Sequence, residues 1–527
     1  MNAVRLKVAT ACSGALLIGT AAAPAVAKTV RIGNQGDVLS MDPHSLAEAV
    51  QLSFLGNVFE PLVTRDAQLK LTPALALRWT LATPTLWRFE LRRNVRFHDG
   101  SAFDAEDVVF SLNRARGDGS DMRTQTASIK TVRAVDPLTV EIETSTPNPI
   151  LPELLTTVYI MDRQWAEAQR AERPVDRRRG TENIASFQAN GTGPYRLRER
   201  QPDVRTRLQR FGGWWGQPEG NVEEVIFLPI ASDATRVAAL ASGEVDLIDP
   251  VPLQDVPRLK AVPALKVVQG PETRIIFLGF DQQRDELAHS SVKGANPFKD
   301  KRVRQAFTHA IDAQAIVRTV MRGAATPAAL LVAKGIRGYS PALDVRVPFD
   351  PEAARKLLAA AGYAEGFAVH LNCPNDRYVN DSEICQAVAA YLARVGIKVS
   401  VQAESKSTYF PKALRREFSF FMAGWSPAGY DAHHALFSLA AKPGPGRGAW
   451  NLGAYSNPQI DELINLAQSE TDAAKRDAML QEALRIHRDD FGHLPLHQQA
   501  LAWGMKQQLD VPQRADNFMF FKWMTMR

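Results

Sequence analysis

Leu86-Trp87-Arg88-Phe89-Glu90-Leu91-Arg92-Arg93-Asn94-Val95-Arg96-Phe97-His98-Asp99-Gly100 decides the fold class, because strict alternation runs straight into a turn. Trp87, Phe89 and Leu91 fall on one face and Arg88, Glu90 and Arg92 on the other, the period-2 pattern of a half-buried strand. Asp99-Gly100 turns the chain. Asp104 then has the chemistry of a helix N-cap, with Glu106 and Asp107 near the positive end of the dipole and Val108, Val109, Phe110 and Leu112 as the apolar residues. Further on, Asp350 caps a helix that starts at Pro351 and stops at Gly362. A strand at 369–371, a helix over 381–394 and a strand over 397–401 follow. Asn457-Pro458 and Asp472 open two more helices. Strands alternating with helices of 10–15 residues predict α/β lobes.

The whole chain has 527 residues, 45% hydrophobic and 23% charged, which excludes wholesale disorder and suggests several folding units. Arg5 and Lys7 precede an uncharged stretch from Val8 to Ala27 that ends Ala25-Val26-Ala27, the pattern of a secretory signal peptide cleaved after Ala27. An uncleaved anchor is the alternative, weakened by Pro24, two glycines and many alanines. Cys12 lacks the aliphatic residue that a lipidation site carries before it. Without residues 1–27 the chain keeps 61 of its 63 Lys+Arg against 57 Asp+Glu, a net charge of +4. Apart from Arg177-Arg178-Arg179 and Arg415-Arg416 the basic residues are dispersed, so no nucleic-acid partner is expected.

Two cysteines remain, Cys373 and Cys385, and an even count outside the cytoplasm predicts a disulfide rather than two free thiols. No Gly-x-Ser-x-Gly elbow, His-Glu-x-x-His, phosphate loop or dinucleotide fingerprint occurs, so no catalytic residue, no cofactor and no enzyme activity is expected. His433-His434 and the set His487, His493, His497 invite a metal reading. Adjacent histidines diverge, however, and Pro495 interrupts the helical spacing of the last two, so no metal site is expected.

Several segments together resemble one family: Leu39 to His44, Val58 to Val63, Trp87 to Asp107 (WRFELRRNVRFHDGSAFDAED), Gly191-Thr192-Gly193-Pro194-Tyr195, Leu240 to Asp246, Pro297 to Ala306, and Asp350 to Gly362. Their order resembles the extracytoplasmic solute-binding proteins of family 5, the peptide, dipeptide and nickel binders of ABC importers. The resemblance implies a two-lobed periplasmic binding protein of type II with an extra domain inserted in the first lobe and a ligand cleft between the lobes. It places the first lobe at 28–60, 186–272 and 490–527, the insert at 61–185 and the second lobe at 273–489. Two strands, near residues 270 and 490, are expected to cross between lobes.

By the same resemblance the cleft residues fall at Asn34 to Asp37, including Asn34 and Gly36, at Gly193 to Tyr195, including both Gly193 and Tyr195, and at Gly424-Trp425. Trp425 is the principal expected contact, since a loop indole can stack on a ligand; a core tryptophan is the other reading. Trp450, Asn451 and Tyr455 form a second aromatic and polar cluster with packing as its alternative, and Trp214-Trp215 reads as structural. In the peptide binders an aspartate three residues after the tryptophan pairs with the peptide's α-ammonium; here that position is Ala428. Asp431, next to Tyr430, is the expected substitute, or the ligand lacks a free amino terminus. Arg415 or Arg416 is a candidate for a ligand carboxylate, with surface exposure as the alternative. The implied function is capture of a di- or oligopeptide, or an opine, glutathione-like compound, metal chelate or sugar, by a periplasmic monomer that delivers it to an ABC permease and its ATPase subunits. A secreted hydrolase and a tethered sensor are the readings from other classes.

Overall fold

A computed structural model describes residues 28–427 and 429–527, so the expected signal peptide, its cleavage after Ala27, Cys12 and Ala428 lie outside the described residues. The alternating segment is a strand, Leu86–Leu91, with Trp87, Phe89 and Leu91 buried and Arg88 exposed. It lies in a four-stranded antiparallel sheet, flanked by Ala76–Thr83 and Thr139–Thr144, with Ile129–Asp136 at the far edge. The helix Ala105–Arg116 packs on that sheet. At its start Asp104 accepts from the Glu106 N–H at 2.8 Å, and Asp107 accepts from the Asp104 N–H at 2.9 Å, a reciprocal cap that satisfies two otherwise orphaned donors.

Among the described residues the main sheet has eleven strands. Its order from one edge is Lys398–Glu404, Ala368–Pro374, Phe420–Trp425, Leu265–Phe280, His493–Lys506, Leu247–Asp249, Thr29–Asn34, Glu224–Pro229, Arg205–Arg210 and Tyr195–Gln201; the short Thr326–Pro327 pairs beside His493–Lys506. Thr29–Asn34 runs parallel to both neighbours, as does Ala368–Pro374 on the other side. Parallel neighbours need a crossover, and helices supply it. Asp233–Ser242 joins Glu224–Pro229 to Leu247–Asp249, the strands on either side of Thr29–Asn34, and Asp381–Ala393 joins Ala368–Pro374 to Lys398–Glu404. The expected caps are all in use: Asp350, Asn457 and Asp472 accept from backbone N–H groups of the helices they precede.

The two central strands, Leu265–Phe280 and His493–Lys506, are the longest, at 16 and 14 residues. They pair antiparallel from Leu265↔Lys506 to Pro271↔Ala500 and resume at Ile275↔Gln498. The first strand advances four residues while its partner advances two, so Glu272, Thr273 and Arg274 are left out of the ladder. A bulge of this kind bends a strand and redirects its side chains.

Cys373 and Cys385 are bonded, with Cα atoms 6.7 Å apart, within bridging reach. The bond ties the end of strand Ala368–Pro374 to helix Asp381–Ala393, and both cysteines are wholly buried. No described helix is long and apolar enough to cross a membrane.

Replacing both cysteines with alanine is expected to lower stability by about 3 kcal/mol, the chain-entropy value for so short a loop, read as a lower urea midpoint at unchanged slope. Two alkylatable thiols in the denatured, unreduced wild type would contradict the bond. A pH effect also follows. Burial holds His44, His98, His433 and His434 down to about 4 and His493 and His497 to about 3, with His487 lowered as well. Their unfolded value is near 6.5, so their contribution is complete above that pH and is lost as pH falls toward 4. Asp107, Asp249 and Asp381, raised by burial to about 7, act oppositely, as do the raised Glu60 and Asp376. The histidines are more numerous, and the melting temperature is expected to fall between pH 6.5 and 4. Calorimetry showing a flat or rising profile there would refute the balance.

Candidate functional site

The bulge opens onto a recess of about 1110 Å³ including its mouth. Arg274 is the bulge residue that lines it. Its guanidinium Nε donates to Glu272 at 2.8 Å, and Glu272 in turn accepts from Gln499 at 2.6 Å, so the carboxylate pins the bulge to the neighbouring strand. Thr273 anchors the other side: its N–H donates to the Ala515 carbonyl at 2.7 Å, and its hydroxyl lies 2.5 Å from that of Ser426. Arg274 Nη2 is buried with no hydrogen-bond partner.

Next to it, the strand Phe420–Trp425 delivers Trp425 to the cavity wall. Trp425 is buried, its ring 5.6 Å from that of Trp450 and 5.7 Å from that of His434. Burial keeps His434 near 4, so it is neutral at ordinary pH. Both indole N–H groups, of Trp425 and of Trp450, are buried without an acceptor. Desolvating such a donor without pairing it costs about 1–3 kcal/mol.

Further wall residues come from both ends of the chain, among them Glu48, Glu60, Arg514 and Lys522. Glu48 caps helix Ala49–Leu55, accepting from the Val50 and Gln51 N–H groups, and meets the Arg377 guanidinium at 2.5 Å. Burial alone would raise its carboxyl; the charges of Arg377 and Lys406 and the two backbone donors bring it down to about 2. Glu60 accepts from the indoles of Trp214 (3.1 Å) and Trp215 (2.8 Å) and from Thr192 (2.9 Å). Burial raises it in spite of those bonds and of the Lys522 charge. The Lys522 ammonium sits 5.4 Å from the centre of the Trp214 ring and 5.3 Å from that of Trp523. Arg514 grips Asp516, with Nε donating to Oδ1 at 3.0 Å. Arg65 bonds Glu153 and lies over the Tyr430 ring at 4.9 Å.

Of the residues named from sequence, Trp425 and Trp450 line this cavity. Gly193 does not, though Pro194 beside it does. Its N–H donates to the Val58 carbonyl at 2.9 Å, and an added Cβ would come within 2.7 Å of the Asn57 and Val58 backbone, so glycine is required for that close approach. Tyr195 is buried behind the wall, its hydroxyl donating to the Val222 carbonyl at 2.8 Å. Asn34 lines two smaller recesses and bonds Asp249 and the Gly36 N–H. Gly36 abuts Lys406, whose Cε would lie 2.7 Å from an added Cβ. Asn451 is fully buried and closes its own loop, donating to the Ala441 and Tyr455 carbonyls and accepting from the Tyr455 N–H.

Asp431 differs from the expectation for a different reason. It caps helix Ala432–Leu439, accepting from the His433 N–H at 2.8 Å, and both its oxygens take the Arg476 guanidinium, at 2.5 and 2.9 Å. This carboxylate is engaged from two sides, 3% exposed and outside the cavity wall. Arg415 pairs with Glu417 on the surface, and Arg177, Arg178 and Arg179 pair with Glu182, Asp121 and Asp176. Sequence reasoning did not identify Glu48, Arg65, Arg274, Arg377, Arg514 or Lys522. For Arg274 the usable signal was Pro271-Glu272 interrupting an otherwise β-rich run, since proline in a central strand marks a bulge.

The family model for bacterial extracellular solute-binding proteins, family 5 Middle, matches residues 70–446. The glutathione-binding protein GsiB of Pectobacterium atrosepticum is 27% identical over 461 residues, covering 84% of this chain and 83% of the relative. GsiB of Salmonella paratyphi A is 26% identical over 492 residues, 90% of each chain. Among solved structures, the periplasmic binding protein DppA of Helicobacter pylori, in complex with the peptide STSA, superposes with a TM-score of 0.83 at 22% identity, covering 94% of this chain and 98% of that one. AgaA of A. tumefaciens R10, in complex with agropinic acid, also gives 0.83 at 22% identity, covering 95% and 99%. The shared fold is the two-lobed α/β architecture of periplasmic binding proteins. The chain therefore belongs to the bacterial extracellular solute-binding proteins of family 5.

Proposed function

We propose that this protein is the periplasmic solute-binding component of an ABC importer, capturing a di- or oligopeptide or a related small solute. The observation that carries the reading is the cavity itself, whose wall draws on segments far apart in sequence: Glu48, Arg65, Arg274, Trp425, Trp450 and Lys522. A recess walled by aromatic side chains with a few fixed polar groups suits capture of a small molecule. In this reading the lobes are 28–60 with 186–272 and 490–527, and 273–489, with 61–185 as an insert in the first. The two long central strands cross between them. Solute favours the closed arrangement by as much as it binds that state better than the open one. It is released unchanged to the permease, whose ATPase subunits drive uptake. The protein acts as a monomer, exported by a signal peptide cleaved after Ala27. The curated relatives carry the name glutathione-binding, which places glutathione among the solutes worth testing.

Native mass spectrometry of protein purified from its own periplasm is expected to show a bound small molecule, and adding that molecule to stripped protein is expected to raise the melting temperature with concentration. No adduct together with no shift from any peptide would refute the assignment. Trp425→Ala is expected to weaken solute binding at least tenfold with the fold intact, measured by calorimetric titration. Asp431→Asn is expected to behave differently, lowering stability by about 3 kcal/mol because it leaves Arg476 buried beside a neutral partner. Denaturant midpoints that are unchanged in Asp431→Asn would show that this pair does not hold the fold.

A further inference from the structure

Resting on the binding-protein reading above, the polar groups of the cavity wall narrow the solute's chemistry. The carboxylates of the wall are already occupied: Glu48 by Arg377 and two backbone donors, Asp516 by Arg514, and Glu60 by two indoles and a hydroxyl. The arginines have carboxylate partners too, Arg65 in Glu153 and Arg274 in Glu272. The arginines and their carboxylates thus balance one another, which leaves Lys522 and Glu60 as wall groups outside those ion pairs, the Glu60 oxygens already taking three neutral donors.

What remains unfilled is mostly hydrogen-bond donation. Arg274 Nη2, the Trp425 Nε1–H and the Trp450 Nε1–H are all buried with no acceptor, on side chains that are 3%, 8% and 7% exposed. They are neighbours. Arg274 reaches the Gly424 carbonyl next to Trp425, and the two indoles are 5.6 Å apart. Arg65 Nε is a further unpartnered donor in the wall; among the described residues the Gln125 amide oxygen and the Thr157 hydroxyl are unpartnered groups there that can accept. A guanidinium arm and two indole N–H groups suit the oxygens of a carboxylate, which can take several donors at once.

We infer that the cavity holds its solute by carboxylate and carbonyl oxygens, at a donor cluster formed by Arg274, Trp425 and Trp450, and does not depend on an ammonium group of the solute. An N-blocked acidic peptide or a peptide-like carboxylic acid is the ligand class this selects.

The test uses Glu-Glu, N-acetyl-Glu-Glu, the fully amidated form of the latter, and Lys-Lys, titrated calorimetrically into protein stripped of bound solute. N-acetylation is expected to change affinity less than threefold, and amidation of the carboxylates to weaken it at least tenfold. Trp425→Phe and Trp450→Phe keep an aromatic ring and lose the indole N–H together with the fused five-membered ring; each is expected to weaken N-acetyl-Glu-Glu binding about three- to tenfold, with far-ultraviolet circular dichroism unchanged. A tenfold loss on acetylation, equal or tighter binding of Lys-Lys, or unchanged affinity in both variants would overturn the inference while leaving the binding-protein reading in place. If none of the four binds, the solute that co-purifies decides: one that carries no carboxylate overturns the inference alone. Protein that carries no solute and responds to no probe removes both.

Discussion

Everything in the cavity depends on how two long strands, Leu265–Phe280 and His493–Lys506, fall out of step. Between Pro271 and Ile275 the first strand holds two more residues than its partner, and the excess leaves the ladder as Glu272-Thr273-Arg274. A regular strand would alternate these side chains between the two faces of the sheet. Out of the ladder they do three different things: Glu272 holds Gln499 on the adjacent strand, Thr273 holds the C-terminal segment at Ala515, and Arg274 joins the cavity wall. The strand at the next position in the sheet then sets Trp425 beside that guanidinium.

The second constraint is electrostatic. Charged groups withdrawn from water need partners, and a buried ion pair adds little net stability while a broken one costs several kcal/mol. The wall follows that rule. Each carboxylate facing the cavity is matched to cations or donors, and Glu48 does double duty as a helix cap and as the partner of Arg377, a residue more than three hundred positions away. Such pairs set where segments meet. With the arginines and their carboxylates balanced against one another, the unfilled bonding capacity of the wall lies mostly in N–H groups, which gives the recess a chemical polarity that its shape alone would not.

Much of the fold was legible because its signals are local. Alternation at Trp87, Phe89 and Leu91, the caps at Asp104, Asp350 and Asp472, and Pro351 at a first helical position each act within a few residues, and each is found where the pattern put it. Trp425 and Trp450 were also legible as wall candidates, the first from the resembling Gly424-Trp425 segment at a strand end and the second from its aromatic and polar cluster. Asp431 and Asn451 were not legible in the same way. Their side-chain types suit both a solute and a helix or loop terminus, and the choice was made by Arg476 and by the Tyr455 backbone. Gly36, Gly193 and Tyr195 show a related effect, supporting the wall from behind through close backbone approach and buried hydrogen bonds.

The sequence by itself determined the class of architecture, the order of its elements, the Cys373–Cys385 bond and membership of a solute-binding family, because periodicity, capping, cysteine parity and ordered motifs are properties of the chain read in one dimension. Only the tertiary structure decided which charges face the cavity and which are used up elsewhere. That depends on pairings such as Glu48 with Arg377 and Asp431 with Arg476. Neither pair has a spacing that any local rule could recognise, since each forms only when sheet and helices have already brought the two residues together.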